Sequence, residues 1–448
     1  MQKKNLIVFH LESLSNEILE EFKDVLGFIR NIHERSERYN NYISSATSTV
    51  MVTSTFFSGS SNCLDHLNSF SPESNVCPEN HLVDIACEAG YSCTRLTYPS
   101  IPPKDKERLA KWGVWTEKHG DCLYYEDEQA FLSSIKDYCN RDSPWLLNIF
   151  PDISNIAYCD FNTEEKITDI KGRLSHGYAT LDRIVRDVYC YLETTKLLEN
   201  TLLVFYGDHG DDLFTHSFNS GMCHGTDPYY EMVHCPFFLF DVSANKENID
   251  RYELITTEDC KNIIFSKLGM VTTTYQHDYV FSQNLFANQA QSLVMCKSFM
   301  VFDGEYILLV SRFGLEMYDC RIDASNHNNL LSFFTLTNDG TLNINNVLFS
   351  RAYPHFNKCY TELYLQEIQN RFRKLQPALI DWVDNKYSLI VNKKNCFNKK
   401  YFFKIRKRIY YWKYSLSIFT YIRVIKEMGC KTFWLKLRKR TLVLIGHK

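Results

Sequence analysis

Residues Leu203–Asp211 combine a short apolar run with side chains that could do chemistry. The apolar run LVFY has the pattern of a buried strand, and an Asp-His pair, Asp208 and His209, follows it closely. In open α/β sheets, functional side chains lie at the carboxyl ends of the strands. A carboxylate and an imidazole there are common ligands of a divalent metal ion. Because an Asp-His pair alone is a weak signal, the prediction of a metal site depends on two stretches upstream.

The first of these stretches is Asn5–Leu14, a near-continuous apolar segment that reaches Glu12 and Ser13 at its end. Such a segment fits a central parallel strand that is covered on both faces. Glu12 is either a metal ligand or a cap of the following helix. Ser13 and Ser15 could cap that helix instead, so both interpretations of Glu12 stay open.

The second stretch, Ser44–Gly59, is rich in Ser and Thr, carries no charge and ends at a glycine. It suits a turn from a strand into a helix. Its hydroxyl groups could simply cap a buried helix. Alternatively, one of them is a nucleophile at the helix N-terminus, where backbone N–H groups stabilise anions.

The rest of the chain alternates between helical and strand patterns, which predicts a parallel α/β sheet. Helix-then-strand patterns occupy His81–Leu96, Glu128–Phe150 and Ile167–Phe205. Short alternating segments around Gly304 and Gly314 predict a small antiparallel sheet instead. We therefore expect an α/β fold with a mostly parallel central sheet flanked by helices, a small C-terminal antiparallel-sheet subdomain and a basic helical tail. The predicted domains are 1–290, 291–350 and 351–448.

Length and composition fit a chain with a large core. At 448 residues, with 45% hydrophobic and 23% charged residues, the length suggests two or three domains. The N-terminus does not have the pattern of an export signal, and no stretch reaches the roughly 18 apolar residues of a membrane span. The 16 cysteines are scattered without CxxC pairs. These features predict reduced thiols and a cytoplasmic location.

The net charge of −3 hides a strongly basic C-terminal tail. Residues 393–448 hold 17 Lys and Arg but a single acid, Glu427. Aromatic and cationic residues interleave in 401–412 and 432–440, which favours an interfacial helix on an anionic membrane surface. The tail could instead cover the acidic core. Basic-aromatic stretches also bind nucleic acids, but the sequence holds no nucleic-acid-binding motif, and we expect no such partner.

Taken in order, these segments resemble the alkaline-phosphatase-like superfamily, in particular the sulfatase family and its phosphoethanolamine/phosphoglycerol transferase branch. Asn5–Leu14 is similar to the family's first strand, whose terminal acid, here Glu12, binds the metal. YGDHGD resembles the (S)DHG(E/D) metal motif. The family's nucleophile precedes a helix-closing Gly by ten residues. Counting back from Gly59 gives Thr49, and Thr47–Thr49 resembles the threonine nucleophile motif of phosphoethanolamine transferases.

Two further segments extend the resemblance to about residue 331. His224–Thr226 with Glu231 is similar to the HGT…YE segment that precedes a Val-Pro strand in the family. Leu315–Asp319 through Asn328–Leu330 looks like the ELYD…NL signature of the sulfatase C-terminal subdomain. Each motif is short, but five motifs in the correct order and spacing are a specific signal.

The resemblance implies a site with one divalent ion. Its ligands are Glu12, Thr49, Asp208 and His209, and this mixed O/N ligand set suits Zn²⁺ or Mn²⁺, with Ca²⁺ and Mg²⁺ as alternatives. Thr49 is the expected nucleophile, and His224 is expected to bind a phosphate oxygen or to protonate the leaving alkoxide. Expected substrate contacts are His216, Asp211 and Ser48, although His216 and Asp211 could simply cap or orient the DHG loop.

Departures from the family narrow the expected function. Sulfatases use a Cys or Ser that is oxidised to an aldehyde, a reaction that Thr49 cannot undergo. Their Lys and His after the GYxT strand are replaced here by Arg95–Pro99. The transferases carry another His after the strand that Trp145–Phe150 matches, whereas Pro151–Asn155 contains none.

We therefore expect a metal-dependent phosphotransferase on the inner face of the cell membrane. Its reaction would move a phosphoethanolamine- or phosphoglycerol-type group from a phospholipid or other phospho-donor, through a phospho-threonine intermediate. The acceptor would be a cell-surface glycan or its lipid-linked precursor, which would place the chain in polysaccharide biosynthesis. The alternatives are a phosphodiesterase or phosphatase that uses water as acceptor and, with less support, a sulfatase or an inactive scaffold.

Overall fold

The fold is taken from a computed structural model of the chain. It describes residues 3–61, 81–99, 115, 120–141, 144–153, 170–211, 227–244, 248–270, 275–284, 298–311, 314–336, 342–344 and 362–391. The chain divides into two compact units. Unit 1 comprises Met1–Asp211 and Val233–His277, and unit 2 comprises Asp212–Met232 and Asp278–Lys448. The predicted domain boundaries at 290 and 350 stay predictions.

Unit 1 is built on an eight-stranded sheet with the strand order β5-β4-β6-β1-β7-β8-β2-β9. Two short strands, β3 and β10, pair separately and in parallel. The strands are β1 (Asn5–Leu11), β2 (Glu37–Tyr39), β3 (Tyr42–Ile43), β4 (Ser92–Tyr98), β5 (Asp121–Tyr124), β6 (Trp145–Pro151), β7 (Thr201–Gly207), β8 (Phe237–Phe240), β9 (Ile249–Arg251) and β10 (Ile255–Thr256).

The first five strands in this order are parallel to one another, while β8 runs antiparallel to both β7 and β2. All residues of β1, β6 and β7 are buried. Burial on both faces is the property that near-continuous apolar strands predict. The predicted mostly parallel α/β sheet is confirmed.

Helices flank this sheet. They are α1 (Asn16–Glu21), α2 (Gly27–Glu34), α3 (Thr49–Ser58), α4 (Leu82–Glu88), α5 (Glu128–Cys139), α6 (Ile170–Thr194) and α8 (Thr257–Lys267). The single turn α7 (Tyr230–Val233) contains the residues at which the chain passes from unit 2 to unit 1. The long helix α6 joins two of its neighbours through charged groups. Asp182 accepts hydrogen bonds from the first amides of α2 at 3.0 and 2.8 Å, and Arg183 pairs with Glu128 of α5.

One face of the sheet is held by a row of aromatic rings across β1, β7 and β8. Phe9 stacks on Phe205 at 4.8 Å between centroids, and Phe205 stacks on Phe238 at 4.6 Å, with interplanar angles of 9° and 10°. Because side chains alternate along a strand, the neighbours of Phe9 and Phe205, His10 and Tyr206, lie on the opposite face. That opposite face continues to the candidate site.

Unit 2 contains an antiparallel sheet in the order β11-β12-β13-β14 and a two-stranded pair, β15 and β16. The bounds are β11 (Val280–Asn284), β12 (Ser298–Phe302), β13 (Tyr306–Ser311), β14 (Gly314–Asp319), β15 (Phe334–Leu336), β16 (Leu342–Ile344) and the helix α9 (Glu362–Val391). The predicted turns at Gly304 and Gly314 are present, each with a positive φ. The predicted antiparallel sheet is therefore confirmed.

Helix α9 packs on this sheet, where Trp382 stacks on Phe281 at 5.0 Å and Arg371 pairs with Asp303 at 2.9 Å. The predicted basic tail, residues 393–448, lies outside the described residues. Within the described part of the chain, no helix is long and apolar enough to cross a bilayer.

Candidate metal centre and nucleophile

The carboxyl edge of the central sheet brings the two predicted acidic ligands side by side. Strands β1 and β7 pair in parallel with His10 opposite Tyr206 and Leu11 opposite Gly207. The next residues, Glu12 and Asp208, are therefore neighbours at the strand ends. Strand β1 lies between β6 and β7, where the chain order changes direction, and ligand sites form at such switch points.

Asp208 is held with one oxygen toward the backbone and the other toward the site. Its Oδ1 accepts hydrogen bonds from the backbone amides of Ser13 and His209, both at 2.9 Å. Ser13 has a positive φ of 55°, a conformation that costs energy for a non-glycine residue. Its carbonyl accepts a hydrogen bond from Tyr178 at 2.9 Å, and the two bonds fix Ser13 in this conformation. Oδ2 of Asp208 is left to face His209 Nε2 at 3.2 Å.

Thr49 is the first residue of α3 and lies at the same edge. Its Oγ1 donates to Glu12 Oε1 at 3.0 Å and lies 3.1 Å from His209 Nε2. The helix ends at Gly59, whose φ is +71° and where a Cβ would lie 2.7 Å from Lys261 Cε. The positive φ favours glycine at this helix end, which is the position from which Thr49 was located in the sequence.

His209 presents a lone pair to the site. Its Nδ1 lies 3.1 Å from the carbonyl oxygen of Gly210, which can only accept, so Nδ1 carries the hydrogen and Nε2 of the neutral ring does not. Thr49 Oγ1 has one hydrogen, yet it faces two acceptors, Glu12 Oε1 and His209 Nε2. Carboxylate and imidazole acceptors that converge in a buried site are an arrangement that a cation stabilises.

The pKa shifts of the buried carboxyl groups also favour a bound cation. Burial raises the pKa of Glu12 well above its ordinary value, and the carboxylates of Asp208 and Asp152 raise it further. Burial also opposes ionisation of Asp208, but the imidazoles of His209 and His10 lower its pKa below the ordinary value. Buried carboxylates that crowd together cost free energy unless a positive charge compensates them.

The residues present fit a divalent metal ion. Donor atoms that bind one ion at about 2.1 Å are separated by about 3.0 to 3.4 Å in octahedral or tetrahedral geometry. The separations from Thr49 to Glu12 and His209, and from His209 to Glu12 and Asp208, run from 3.0 to 3.8 Å. The structure thus brings the four predicted ligands together, and their roles as ligands stay a prediction.

A fifth side chain, His10, belongs to the same group, and sequence reasoning missed it. Its Nε2 lies 3.1 Å from Asp208 Oδ2 and 3.5 Å from Glu12 Oε2. Burial lowers the pKa of His10, against the opposing effect of Asp208. The alternation of side chains along a strand would have shown it, because residues two apart share a face. We call His10, Glu12, Thr49, Asp208 and His209 the carboxyl-edge cluster.

Of four further predicted site residues, the structure describes the positions of two, Ser48 and Asp211. Ser48 precedes α3 as its N-cap residue, and its Oγ has no hydrogen-bond partner among the described residues. Asp211 is buried at the end of the DHG loop. His216 and His224 lie outside the described residues. The predicted roles of all four in substrate binding or catalysis stay predictions.

Fold and site together define an α/β protein with a buried carboxylate–imidazole cluster and a hydroxyl at the carboxyl edge of its sheet. The sulfatase family model matches residues 4–283. The chain belongs to the sulfatase family. No curated protein sequence gives a significant match to it.

Solved structures with a similar fold share little sequence with this chain. A 2-O GAG sulfatase has a TM-score of 0.61 at 15% identity and covers 90% of this chain and 96% of its own. The phosphonate monoester hydrolase of Agrobacterium radiobacter has a TM-score of 0.52 at 12% identity, covering 75% and 99%. A protein in the alkaline phosphatase superfamily from Vibrio parahaemolyticus has a TM-score of 0.50 at 10% identity, covering 77% and 82%. At these identities the likeness shows the shared fold.

Proposed function

We propose that this sulfatase-family chain is a metal-dependent phosphotransferase. It moves a phospho-substituent of the phosphoethanolamine or phosphoglycerol type onto a surface glycan or its lipid-linked precursor, through a phospho-threonine intermediate. The observation that carries the proposal is the position of Thr49 Oγ1, 3.0 Å from Glu12 and 3.1 Å from His209 at the start of α3.

A threonine hydroxyl is a weak nucleophile unless a base or a metal lowers its pKa. A divalent ion held by Glu12, Thr49, Asp208 and His209 supplies this effect when bound and neutralises charge on the phosphoryl oxygens. The hydrogen bond from Thr49 to Glu12 Oε1 gives the hydroxyl proton an acceptor. With the proton held by Glu12, a lone pair of Oγ1 remains to attack phosphorus.

The expected course is a double displacement. Thr49 Oγ1 forms a bond to phosphorus while the bond from phosphorus to the donor alkoxide breaks, and His224 gives that alkoxide a proton. The acceptor hydroxyl then attacks the phospho-threonine, its proton returns to His224, and Thr49 recovers its own proton. Helix α3 begins at Thr49, and the N-termini of helices stabilise phosphate oxygens.

The chemistry of the nucleophile favours phosphate esters over sulfate esters. Sulfatases of this family need an aldehyde made from Cys or Ser, and a threonine side chain cannot give it. The similar fold of a phosphonate monoester hydrolase is consistent with phosphorus chemistry, and it also keeps a hydrolase as the second outcome of the experiment below.

The basic tail supports a membrane-bound donor or acceptor. Residues 393–448 carry 17 Lys and Arg and one acid, and they interleave these cations with aromatic residues. Such a segment binds anionic lipid surfaces. We propose that it places the catalytic unit on the cytoplasmic face of the membrane, where lipid-linked substrates are within reach.

The proposal is tested with purified full-length protein loaded with Zn²⁺ or Mn²⁺. Phospholipids labelled in the headgroup, phosphatidylethanolamine and phosphatidylglycerol, are incubated with and without a glycan acceptor. We expect diacylglycerol release, label on the peptide that contains Thr49, and transfer of label to the glycan. Label released to water with or without the glycan favours the hydrolase. Release of sulfate from an aryl sulfate, with no action on either lipid, would contradict the proposal.

A further inference from the structure

His10 is a buried imidazole on the face of β1 that leads to the carboxyl-edge cluster. Its side chain has no exposed surface. The ring lies between Phe150, at 4.3 Å between centroids, and Tyr206, at 4.7 Å. This packing fixes the plane of the ring and directs Nε2 toward the strand ends. A leucine or phenylalanine would fill the same space, so packing alone does not require a histidine here.

Of the two nitrogen atoms of His10, Nε2 meets the two carboxylates at the strand ends. Neither Nδ1 nor Nε2 has a hydrogen-bond partner among the described residues, and Asp208 Oδ2 has none there either. Nevertheless, His10 Nε2 approaches Asp208 Oδ2 to 3.1 Å and Glu12 Oε2 to 3.5 Å. The nitrogen therefore faces the space between the two carboxylates, and these separations fall in the range found between ligands of one ion.

We propose that His10 is a direct ligand of the metal ion, together with Glu12, Asp208 and His209. This inference rests on the metal dependence of the proposed function and adds a residue that the family resemblance does not assign. Four donors then come from the ends of two paired strands, β1 and β7. Thr49 Oγ1 lies beside these donors, 3.0 Å from Glu12 Oε1 and 3.1 Å from His209 Nε2, and its oxygen also forms the bond to phosphorus.

The proposed ligand set also selects the type of ion. Two imidazoles with two carboxylates suit Zn²⁺ and other first-row transition ions, whereas Mg²⁺ and Ca²⁺ prefer oxygen ligands throughout. Millimolar Ca²⁺ or Mg²⁺ is therefore expected to leave bound Zn²⁺ in place.

The test is X-ray absorption spectroscopy of the full-length protein loaded with one equivalent of Zn²⁺, without substrate. We expect multiple scattering from two imidazoles in the wild type and from one in His10→Phe, which keeps the stacked ring. Competition with a chromophoric chelator should show at least a 100-fold loss of Zn²⁺ affinity in His10→Phe. His33→Phe, which removes a partly buried imidazole elsewhere in unit 1, is the matched control and should retain two imidazoles and the full affinity.

Each outcome decides one part of the proposal. One imidazole in the wild type overturns the ligand role of His10, even if His10→Phe binds Zn²⁺ weakly. In that case His10 would only position Asp208. If His10→Phe does not fold, the number of imidazoles in the wild-type spectrum and the Zn²⁺ affinity of His10→Gln decide whether His10 is a ligand. Two imidazoles in a protein that acts on no phosphate ester would support this inference and contradict the proposed function. A wild type that binds no Zn²⁺ would contradict both.

Discussion

Thr49 Oγ1 lies 3.0 Å from Glu12 Oε1, although the two residues are 37 positions apart in the chain. Glu12 follows β1, and Thr49 opens α3, so the contact exists only when the sheet and this helix have formed. The side chain that donates the hydrogen bond is thus placed by tertiary structure, and a substitution at Thr49 can test its role without disturbing the strands.

We predict that Thr49→Ala reduces turnover of a phosphodiester by at least about 10³-fold, because no oxygen remains to attack phosphorus. Zn²⁺ affinity should fall much less, since the ligands on β1 and β7 remain. Turnover and chelator competition on the same preparation check this. Thr49→Ser is the matched control, because serine keeps the hydroxyl, and it should retain measurable turnover. Full activity in Thr49→Ala would show that another hydroxyl is the nucleophile.

We predict that Glu12→Gln makes the free energy of unfolding nearly independent of added Zn²⁺. The two buried carboxylates of the cluster lie close together: suitable ligand atoms of His10, Glu12 and Asp208 are all within 4.8 Å of one another. Burial and the carboxylates of Asp208 and Asp152 raise the pKa of Glu12 and disfavour its ionised form, so an amide in its place should leave the metal-free protein at least as stable as the wild type. In the wild type, Zn²⁺ at 100 times its Kd should add about 2.7 kcal/mol to the free energy of unfolding. In Glu12→Gln, most of this gain should be absent at the same concentration.

Thermal unfolding with EDTA and with Zn²⁺ measures both effects. Glu20→Gln, a change at an exposed carboxylate, should respond to Zn²⁺ as the wild type does. An equal Zn²⁺ response in Glu12→Gln would remove Glu12 from the proposed ligands.

The central strands could be predicted from the sequence because parallel strands buried on both faces are continuous apolar runs. β1, β6 and β7 follow that rule. The antiparallel strand β8 is equally apolar, and its direction depends on pairing with β7 and β2, which a single segment does not encode. Strand β2, with a Glu-Arg-Tyr sequence, has no apolar pattern of its own and is positioned by its neighbours.

In the candidate site, too, residues defined by their own segment could be predicted, and residues defined by contacts with other strands could not. Glu12, Asp208 and His209 are local to strand ends and could be predicted, and Thr49 was found from its spacing to Gly59. His10 lies within an apolar run, and its place beside Asp208 depends on the pairing of β1 with β7. Arg95 is 1% exposed and donates to Asn148 at 2.6 Å. Its burial could not be foreseen, because an isolated charge is stable in a core only beside a partner on another strand.

The aromatic row beneath the site should carry much of the stability of unit 1. Phe205 is fully buried and stacks on both Phe9 and Phe238. We predict that Phe205→Ala lowers the free energy of unfolding by about 3–5 kcal/mol through the cavity it leaves. Phe205→Leu, which fills more of that space, should cost less. Urea unfolding followed by circular dichroism measures both, and a loss below about 1 kcal/mol in Phe205→Ala would contradict a tightly packed row.

Removal of the basic tail should separate membrane binding from catalysis. We predict that a chain ending at residue 392 no longer sediments with vesicles that contain phosphatidylserine, because each basic residue near such a surface contributes about 1 kcal/mol. Activity on a short, water-soluble phosphodiester should be unchanged. Replacement of the cations in 404–408 and 436–440 by Gln should weaken binding without shortening the chain. Unchanged sedimentation of the truncated protein would refute the membrane role, and a lower melting temperature with unchanged binding would favour a tail that covers the core.

His33 gives the fold a predictable dependence on pH. It lies on α2 with its ring edge against Phe238 at 4.9 Å, and burial, followed by the charge of Arg38, lowers its pKa to about 4. In the unfolded chain a histidine has a pKa of about 6.5. Between these two values the unfolded state binds more protons, so stability should rise with pH and be lost as the pH falls below about 6.5.

We predict that the wild type loses about 1–2 kcal/mol more of its unfolding free energy than His33→Gln does when the pH falls from 7.5 to 5. His33→Phe, which also lacks a titrating group and keeps the contact with Phe238, should show the same flatter dependence. Urea unfolding of the three proteins at both pH values measures the difference. If all three lose the same free energy, His33 is protonated as readily in the folded protein as in the unfolded chain.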